Sequence, residues 1–271
     1  MICFPNAKIN LGLHVVARRT DGYHNIETVF YPVALKDALE IVPAQGEKGT
    51  FRQTGLHISG HPEDNLVMKA YRLLSSIHKI PEIDIHLLKK IPFGAGLGGG
   101  SSDAAFMLKL LNDYVGIGLS DDTLESLAGQ LGADCAFFIR NKPVFASGTG
   151  NVFENIEISL AGYSIVLMKP DIHVSTPDAY AMIQPSQPEH SLKNIIRLPV
   201  ETWKGQLVND FEKTVFQQHP GIRDIKEQLY ASGAVYASMS GTGSAVFGIF
   251  KGQNPVFQLE NNKQIKTYLI Q

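Results

Sequence analysis

The sequence of 271 residues has few of the features that mark secreted, membrane-spanning or metal-binding proteins. Its two cysteines, Cys3 and Cys135, lie far apart and form no CxxC pair, so we expect neither a disulfide framework nor a cysteine zinc site. No segment approaches the ~18 apolar residues that a membrane helix requires. The first residues also lack the basic region of a signal peptide. These absences predict a cytoplasmic protein without a membrane partner.

An excess of charge of one sign is also missing. The sequence has 24 Lys and Arg against 26 Asp and Glu, which leaves a formal net charge of −2. Proteins that bind nucleic acids rely on clustered basic side chains, so we expect no nucleic-acid partner. The one mild excess is glycine, with 25 residues, about 9% against a usual ~7%.

Alternating apolar and polar residues predict several half-buried strands. The clearest covers residues 6–15 and places Lys8 and Asn10 on its polar face. The other predicted strands cover residues 26–42, with an interruption at Pro32, residues 83–88, residues 163–168, and the two sides of a glycine turn at 241–243. A tight turn is predicted at residues 19–22.

Helical spacing predicts three helices between these strands. The expected caps are Asp64 for a helix ending at residue 77, Ser101 or Ser102 for a helix ending at residue 115, and Asp122 for a helix that Gly132 ends. A soft domain boundary falls near residues 155–160, and the proline-containing stretch 184–205 is predicted to be irregular. Antiparallel-type strands interleaved with helices indicate an α+β protein and not a doubly wound parallel sheet.

A glycine-rich segment, residues 94–102 with the sequence GAGLGGGSS, stands directly before a predicted helix. Backbone N–H groups at the positive end of a helix dipole, free of obstructing side chains, form a cradle for phosphate. We therefore expect this glycine segment to bind a phosphate group. The plain alternative is a flexible loop with no ligand.

Three other glycine-rich motifs fit the glycine segment less well. Gly94, Gly96 and Gly99 satisfy GxGxxG, with Asp121 at the spacing of a dinucleotide site, but the preceding strand alternates and is not continuously apolar. A Walker A loop requires Lys where Gly100 stands. The HRD and DFG elements of protein kinases do not occur in the sequence. These comparisons favour phosphate binding without a P-loop lysine.

Three motifs, in order along the chain, resemble those of the GHMP small-molecule kinases. They are PNAKINL from Pro5, IPFGAGLGGGSS from Ile91 and MSGTGS from Met239. RTDGYH from Arg19, the triple glycine and the Gly-Ala-Asp at 132–134 resemble one branch of that family. Members of this branch phosphorylate a cytidyl-linked methylerythritol in the non-mevalonate isoprenoid route. The resemblance covers about residues 2–180 and 235–250.

The resemblance implies a fold, an activity and a cofactor. The fold would be two-domain α+β, with a ribosomal-protein-S5-like N-terminal domain over residues 1–157 and a ferredoxin-like α/β-plait domain over residues 158–271. The activity would be ATP-dependent phosphorylation of the 2-hydroxyl of the methylerythritol part of the substrate. Mg²⁺ would accompany ATP, because it neutralises the transferring phosphate, but no carboxylate in the sequence is an obvious ligand. The oligomeric state stays open.

Lys8 and Asp134 match the catalytic lysine and aspartate of the family. Asp134 lies among apolar and small residues, where a buried carboxylate would be costly without a partner, and Lys8 is its candidate partner. Asp134 would accept the proton of the substrate hydroxyl, while Lys8 would keep the carboxylate ionised and stabilise charge on the phosphoryl group. The plain alternative is an Asp at a helix end and a solvated Lys.

The resemblance also implies binding residues for ATP and for the substrate. Those expected to bind ATP are Asn65, as an adenine contact, and Pro92, Gly94, Gly96, Leu97, Gly98, Gly99, Gly100, Ser101 and Ser102. Those expected to bind the substrate are Asn10, Tyr23, His24, Tyr180, Gly241, Thr242 and Gly243. Tyr23 and Tyr180 would stack on the cytosine ring and His24 would read its polar edge. A core Tyr and a surface His after a turn, and a plain hairpin at Gly241 and Gly243, are the alternatives.

Two other functions stay open for the sequence. One is a GHMP kinase for another small alcohol, such as mevalonate or homoserine, and the other is a non-catalytic nucleotide-binding regulator on the same fold. Tyr23 and His24 weigh against the first, because those substrates have no base to stack. The presence of both Lys8 and Asp134 weighs against the second.

Overall fold

The computed structural model of the chain describes residues 1–57, 60–252 and 265–270, in which strands and helices follow one another in mixed order. The strands are β1 Ile2–Cys3, β2 Asn6–Arg18, β3 His24–Lys36, β4 Ala38–Pro43, β5 Phe51–Gly55, β6 Ile83–Lys89, β7 Val144–Ser147, β8 Val152–Asn155, β9 Tyr163–Pro170, β10 Tyr236–Met239, β11 Val246–Lys251 and β12 Ile265–Ile270. The helices are α1 Leu66–Ile77, α2 Gly99–Val115, α3 Asp121–Leu131, α4 Phe137–Arg140, α5 Thr176–Ala181, α6 Leu192–Ile195, α7 Phe211–Gln218 and α8 Pro220–Ala231, with 3-10 turns at Pro62–Asp64 and Val200–Thr202. None of the helices in these residues has the length and apolar character needed to cross a membrane.

The chain divides into two compact units, each built from separate segments. The first consists of Met1–Lys8, Leu35–Phe93 and Gly98–Lys142, and the second of Ile9–Ala34, Gly94–Leu97 and Pro143–Gln271. Strands β2 and β3 and the glycine segment therefore contribute residues to both units. The division into domains at residues 1–157 and 158–271 stays a prediction.

A four-stranded sheet and helices α1 to α4 build the first unit. The strand order is β1-β4-β6-β5, and its pairs are antiparallel except for the parallel pair of β5 and β6. Ile83, Ile85 and Leu87 of β6 are buried, whereas Asp84 and His86 between them are partly exposed. The predicted alternation before the glycine segment is thus confirmed, and it disagrees with the continuously apolar strand of a dinucleotide site.

Two four-stranded sheets and the later helices build the second unit. The strand orders are β2-β3-β7-β8 and β10-β11-β9-β12. Apolar side chains from β2, β3, β9, β10, β11, α7 and α8 form one core, which includes Leu13, Val15, Ile26, Val166, Met168, Phe211, Val215, Ile222, Leu229, Met239 and Val246. Burial of each large side chain of this kind stabilises the fold by roughly 1.5–3 kcal/mol. The α+β class predicted from the pattern is confirmed.

Strand β2 is longer and more buried than its alternation predicts. It extends to Arg18, and all its residues from Asn6 to Val15 are buried. The polar side chains on the face predicted to be exposed are buried as well: Asn6, Lys8, Asn10 and His14. Buried polar groups require partners, and Asn10 Nδ2, for example, donates to Thr28 Oγ1 at 2.9 Å. The polar face of β2 is therefore an interior polar surface, and the prediction of solvent exposure is wrong.

Two predicted helix caps are wrong by one or two residues. Asn65, and not Asp64, caps α1, because its side chain accepts a hydrogen bond from the backbone N–H of Val67 at 2.9 Å. Ser120, and not Asp122, caps α3 in the same way. Asn65 directly precedes the first residue of α1 and Ser120 directly precedes that of α3, whereas Asp122 lies inside α3. From this position a side-chain oxygen reaches an N–H group that lacks an intrahelical partner. The predicted end of α3 at Gly132 is confirmed.

The strand predicted over residues 26–42 is two strands. The break falls at Asp37, whereas Pro32 lies inside β3. Asp37, between the two strands, is buried. Its Oδ1 accepts hydrogen bonds from the backbone N–H groups of Lys90 and Ile91. The stretch 184–205 is irregular except for α6 and one 3-10 turn.

Candidate active site

An ion pair connects β2 to the turn that precedes α4. Lys8 Nζ lies 3.3 Å from Asp134 Oδ2, and the two side chains are 4% and 33% exposed. The expected partners do meet, but the prediction of a buried carboxylate is wrong, since the lysine is the buried member. Lys8 belongs to a strand buried on both faces, whereas Asp134 lies in a turn. A partly open carboxylate beside a fixed ammonium can accept a proton from a hydroxyl group.

Alternate residues of the glycine segment adopt left-handed backbone. The φ angles are 59° at Gly94, 76° at Gly96 and 68° at Gly98, whereas Ala95 and Leu97 between them have no positive φ. Alternating signs of φ turn successive backbone N–H groups toward one side and create a concavity that suits an anion. Glycine is required at these positions, because other residues rarely adopt positive φ.

Helix α2 begins without a side-chain cap among the described residues. Its N-cap residue is Gly98, and the N–H of Ser102 donates to the Gly98 carbonyl at 2.8 Å. Ser101 and Ser102 therefore lie inside the first turn, and the prediction that one of them caps the helix is wrong. The N–H groups before Ser102 have no intrahelical partner, and they stand at the positive end of a helix of 17 residues. This arrangement suits phosphate binding.

Gly98 also brings the start of α2 close to Lys8. A Cβ atom added to Gly98 would lie 2.9 Å from the Phe138 ring and 3.2 Å from Lys8 Cγ. Any side chain at this position would push the helix terminus away from β2. The first turn of α2 and the Lys8–Asp134 pair are neighbours for this reason.

Ser240, to which the sequence interpretation gave no role, connects its own motif, MSGTGS, to the other two motifs through contacts within the second unit. Its Oγ donates to the Gly96 carbonyl at 2.8 Å and accepts the N–H of Asn10 at 3.2 Å. A Cβ added to Gly96 would lie 1.9 Å from the Ser240 carbonyl oxygen, and one added to Gly241 would lie 3.2 Å from Gly96 Cα. The structure thus brings Asn10, Gly96 and Gly241 together.

Asn209 is a second residue that the sequence did not indicate. Its Nδ2 donates to the carbonyl oxygens of Met239 and Gly241, both at 2.8 Å, and its Oδ1 accepts the N–H of Phe211 at 3.0 Å. Asn209 itself is buried next to β2, where it forms a β-bridge with Leu13. The turn that contains Gly241 is therefore fixed by a side chain about 30 residues away in sequence.

The predicted base-binding side chains form a stacked pair and an exposed ring. The rings of His24 and Tyr180 stack with centroids 4.9 Å apart, and Tyr180 meets Phe211 edge to face at 4.8 Å. Tyr23 is 68% exposed. Burial, and to a smaller extent the charge of Arg18, lowers the pKa of His24. A neutral imidazole has one donor and one acceptor nitrogen, which suits the polar edge of a base.

The turn that contains Thr242 and Gly243 packs against the start of α5. Thr242 Oγ1 lies 3.2 Å from Thr176 Oγ1, the first residue of that helix. Gly243 has a φ of 91°, and a Cβ there would lie 2.7 Å from Met239 Sδ. Helix α5 also bears Tyr180. The glycine turn and the stacked rings are therefore joined within the second unit.

The side chain of Asn65, the expected adenine contact, is engaged in the fold. Its Oδ1 caps α1, and its Nδ2 donates to Gln53 Oε1 at 3.4 Å. Pro92 is buried and Gly100 is partly exposed. A contact between Asn65 and adenine stays a prediction.

Three charged side chains form a buried cluster beside the start of α2, which we call the buried triad: Asp37, Lys89 and Asp103. Lys89 Nζ donates to Asp37 Oδ2 and, at 2.6 Å, to Asp103 Oδ2. All three residues are at most 2% exposed. A Cβ on Gly99 would lie 3.4 Å from Lys89 Nζ. In the sequence Lys89 is 52 residues from Asp37 and 14 residues from Asp103. Such separations follow no strand or helix period, so the triad could not have been predicted from the sequence.

The residues that the structure describes include no group of three or more His, Cys, Asp or Glu side chains that could hold a metal ion. Mg²⁺ in phosphoryl-transfer sites is usually held by one or two carboxylates together with the substrate phosphates. The magnesium expected with ATP therefore does not require such a group.

The sequence matches two family profiles. Residues 65–142 match the profile described as "GHMP kinases N terminal domain", and residues 191–263 match "GHMP kinases C terminal". The first matched range contains the glycine segment and Asp134, and the second contains the turn at 241–243.

Two proteins of high similarity are each named 4-diphosphocytidyl-2-C-methyl-D-erythritol kinase. The protein from Parabacteroides distasonis is 60% identical over 251 residues, which is 93% of this chain and 92% of the relative. The protein from Bacteroides thetaiotaomicron is 61% identical over 253 residues, with the same coverage of 93% and 92%.

Solved structures show the same fold. A crystal structure of a 4-(cytidine 5′-diphospho)-2C-methyl-D-erythritol kinase is similar with a TM-score of 0.81 and 29% identity, covering 100% of this chain and 98% of the other. The mevalonate kinase of Methanococcus jannaschii is similar with a TM-score of 0.70 and 15% identity, covering 100% and 97%. At such low identity the second likeness shows the fold alone.

Proposed function

The chain belongs to the GHMP kinase family, in the branch formed by relatives named 4-diphosphocytidyl-2-C-methyl-D-erythritol kinase, and from this membership we propose which residues perform its reaction. The reaction is ATP-dependent phosphorylation of the 2-hydroxyl of 4-diphosphocytidyl-2-C-methyl-D-erythritol in isoprenoid precursor biosynthesis. The observation that supports the assignment is the Lys8–Asp134 pair, with Nζ and Oδ2 3.3 Å apart, beside the uncapped start of α2.

Asp134 is the general base in this proposal. Its partly exposed carboxylate accepts the proton of the substrate hydroxyl as the oxygen attacks the γ-phosphorus of ATP. The bond from that phosphorus to the bridging oxygen breaks, and ADP leaves. The buried ammonium of Lys8 is positioned to stabilise negative charge that develops on the transferring group. Positioned proton acceptors typically contribute 10²- to 10⁴-fold to a rate.

The backbone supplies most of the phosphate binding. The N–H groups in the first turn of α2, which lack intrahelical partners, and the alternating φ angles of the glycine segment offer donors to the ATP phosphates. Mg²⁺ bound to ATP would neutralise phosphate charge. Asn65 is proposed to contact the adenine.

Residues of the second unit are proposed to recognise the cytidyl substrate. Tyr180, held by His24 and Phe211, and the exposed ring of Tyr23 offer stacking faces to cytosine. Neutral His24 offers a donor and an acceptor to the base edge. The further substrate contacts that we propose are Asn10, Gly241, Thr242 and Gly243. We also propose that the enzyme acts in the cytoplasm.

An ADP-release assay with three acceptors tests the proposal. Wild-type protein should form ADP with the cytidyl substrate and not with mevalonate or homoserine. Lys8→Met and Asp134→Asn should each lower kcat at least about 100-fold. Breaking a pair that has a buried member also lowers stability, so thermal unfolding is measured to confirm that each variant is folded at the assay temperature. Lys193→Met, which breaks an exposed pair with Glu154, is the matched control and should keep full activity.

Three results would refute the proposal in different ways. ADP formation with mevalonate or homoserine but not with the cytidyl substrate would assign another alcohol. Nucleotide binding without ADP formation from any acceptor would indicate a regulator. A kcat within about tenfold of wild type in both variants, a barrier change of only ~1.4 kcal/mol, would remove Lys8 and Asp134 from the mechanism.

A further inference from the structure

The buried triad places an unbalanced set of charges next to the proposed phosphate site. It contains one ammonium, that of Lys89, and two carboxyl groups, those of Asp37 and Asp103. If both carboxyl groups were ionised, the interior beside Gly99 would hold a net negative charge. An uncompensated buried charge is strongly unfavourable. The negative charge would also partly cancel the positive potential at the start of α2, where phosphate is expected to bind.

Hydrogen bonds distinguish the two carboxyl groups. Asp37 accepts from three donors, because Oδ1 accepts the N–H groups of Lys90 at 2.5 Å and Ile91 at 2.8 Å while Oδ2 accepts from Lys89. Asp103 accepts from Lys89 through Oδ2, and its buried Oδ1 has no hydrogen-bond partner among the described residues. Donors stabilise the ionised form of a carboxylate. Asp37 therefore suits the ionised state, and Asp103 suits the neutral acid.

The environment of Asp103 favours the same assignment. Burial raises the pKa of Asp103 to about 8; the charge of Lys89 opposes this rise, and that of Asp37 adds to it. Cys3 on β1 is also near, and burial together with the charge of Asp103 raises its pKa to about 12, so the thiol stays neutral. Lys109 and the chain amino terminus interact with Cys3.

The position of Asp103 couples its charge to the helix terminus. Side chains in an α-helix lean toward the N-terminus and cover the preceding turn. Asp103 is the fifth residue of α2, and its partner Lys89 Nζ lies 3.4 Å from the Cβ position of Gly99. Charge on Asp103 therefore acts on the first turn of the helix.

We propose that Asp103 is a positioning residue that holds a proton at neutral pH, so that the buried triad has no net charge beneath the first turn of α2, and that release of this proton to solvent at higher pH weakens binding of the ATP phosphates. This inference rests on the proposed use of ATP. Asp103 changes from a neutral acid to an anion as the pH rises. The affinity for ATP is therefore highest below the pKa of Asp103 and falls as the pH rises through about 8.

Calorimetric titration of ATP with MgCl₂, without the acceptor, tests the inference. For wild type we expect the ATP Kd to rise roughly three- to tenfold between about pH 7 and about pH 9, the effect of one charge at a helix terminus. Asp103→Asn keeps the shape and cannot ionise, so its Kd should not rise in this interval. Asp113→Asn removes an exposed charge near the other end of the same helix and should follow wild type.

Proton uptake measured on wild type alone keeps the inference testable if Asp103→Asn does not fold. In two buffers of different ionisation enthalpy, ATP binding near pH 8 should take up an additional fraction of a proton relative to pH 6.5. An equal rise of Kd in Asp103→Asn and wild type, or a wild-type Kd and proton uptake that do not change with pH, would overturn the inference. Failure of wild type to bind ATP at any pH would instead refute the proposed function.

Discussion

A methyl group at Gly96 is expected to damage both the fold and the site. Gly96 has a φ of 76°, and a Cβ there would lie 1.9 Å from the Ser240 carbonyl oxygen and 2.8 Å from the carbonyl carbon. Both neighbours belong to the backbone, so no flexible side chain can move aside. The backbone of Gly96 or Ser240 would have to shift by about 1 Å to restore ordinary contact distances.

Two contributions determine the expected loss of stability in Gly96→Ala. A left-handed backbone conformation costs an alanine about 1–2 kcal/mol. The shift would also break the hydrogen bond from Ser240 Oγ to the Gly96 carbonyl, 2.8 Å in length, which contributes about 0.5–1.5 kcal/mol. We therefore expect Gly96→Ala to lower the free energy of unfolding by about 3 kcal/mol, together with a loss of activity of up to about 100-fold from misplaced binding groups.

Gly205→Ala is the matched control. Gly205 has a φ of 80°, but a Cβ there would meet no atom within 4 Å, so the variant includes the conformational strain without the collision. It should lose only about 1–2 kcal/mol and keep its ADP-release activity. Urea unfolding and the kinase assay compare the two variants. Equal stability and equal activity of Gly96→Ala and Gly205→Ala would refute the close approach of Gly96 and Ser240.

Two further predictions test individual side chains. Asn65→Ala should lower the free energy of unfolding by about 1 kcal/mol through loss of the α1 cap, whereas Asp64→Ala should change it by less than half as much; equal losses in urea unfolding would contradict the assignment of the cap. Tyr180→Ala should raise KM for the cytidyl substrate about tenfold through loss of stacking and leave KM for ATP unchanged, while Tyr180→Phe should stay near wild type. A parallel rise of both KM values would indicate general damage instead of a lost stacking contact.

The α+β class and the main strands were predictable because they depend on local periodicity. The alternation from Asn6 to Val15 and at Ile83 to Leu88 reflects the two faces of a strand, and both strands exist. Degree of burial was not predictable in the same way. A polar residue in an alternating pattern indicates a face, but the pattern does not show whether water or another part of the protein covers that face.

Helix ends were predicted less accurately than helices. More than one residue near a helix start can often cap it, as with Asp64 and Asn65, or Ser101 and Ser102. Which of them is the cap depends on the backbone angles at the first turn. At α2 the N-cap residue is Gly98, which has no side chain that could accept a hydrogen bond. The N–H groups at this terminus therefore have no side-chain cap among the described residues.

The sequence by itself determined the family and the order of its motifs, because each motif is a short local run of residues that can be identified without knowledge of the fold. Tertiary structure alone decided that Lys8 is the buried member of its ion pair, and that Asn209 and Ser240 fix the glycine turn. It also decided that Asp37, Lys89 and Asp103 share one interior site. Contacts between residues 14 to 230 positions apart leave no local pattern, since long-range proximity arises only when the strands and helices pack.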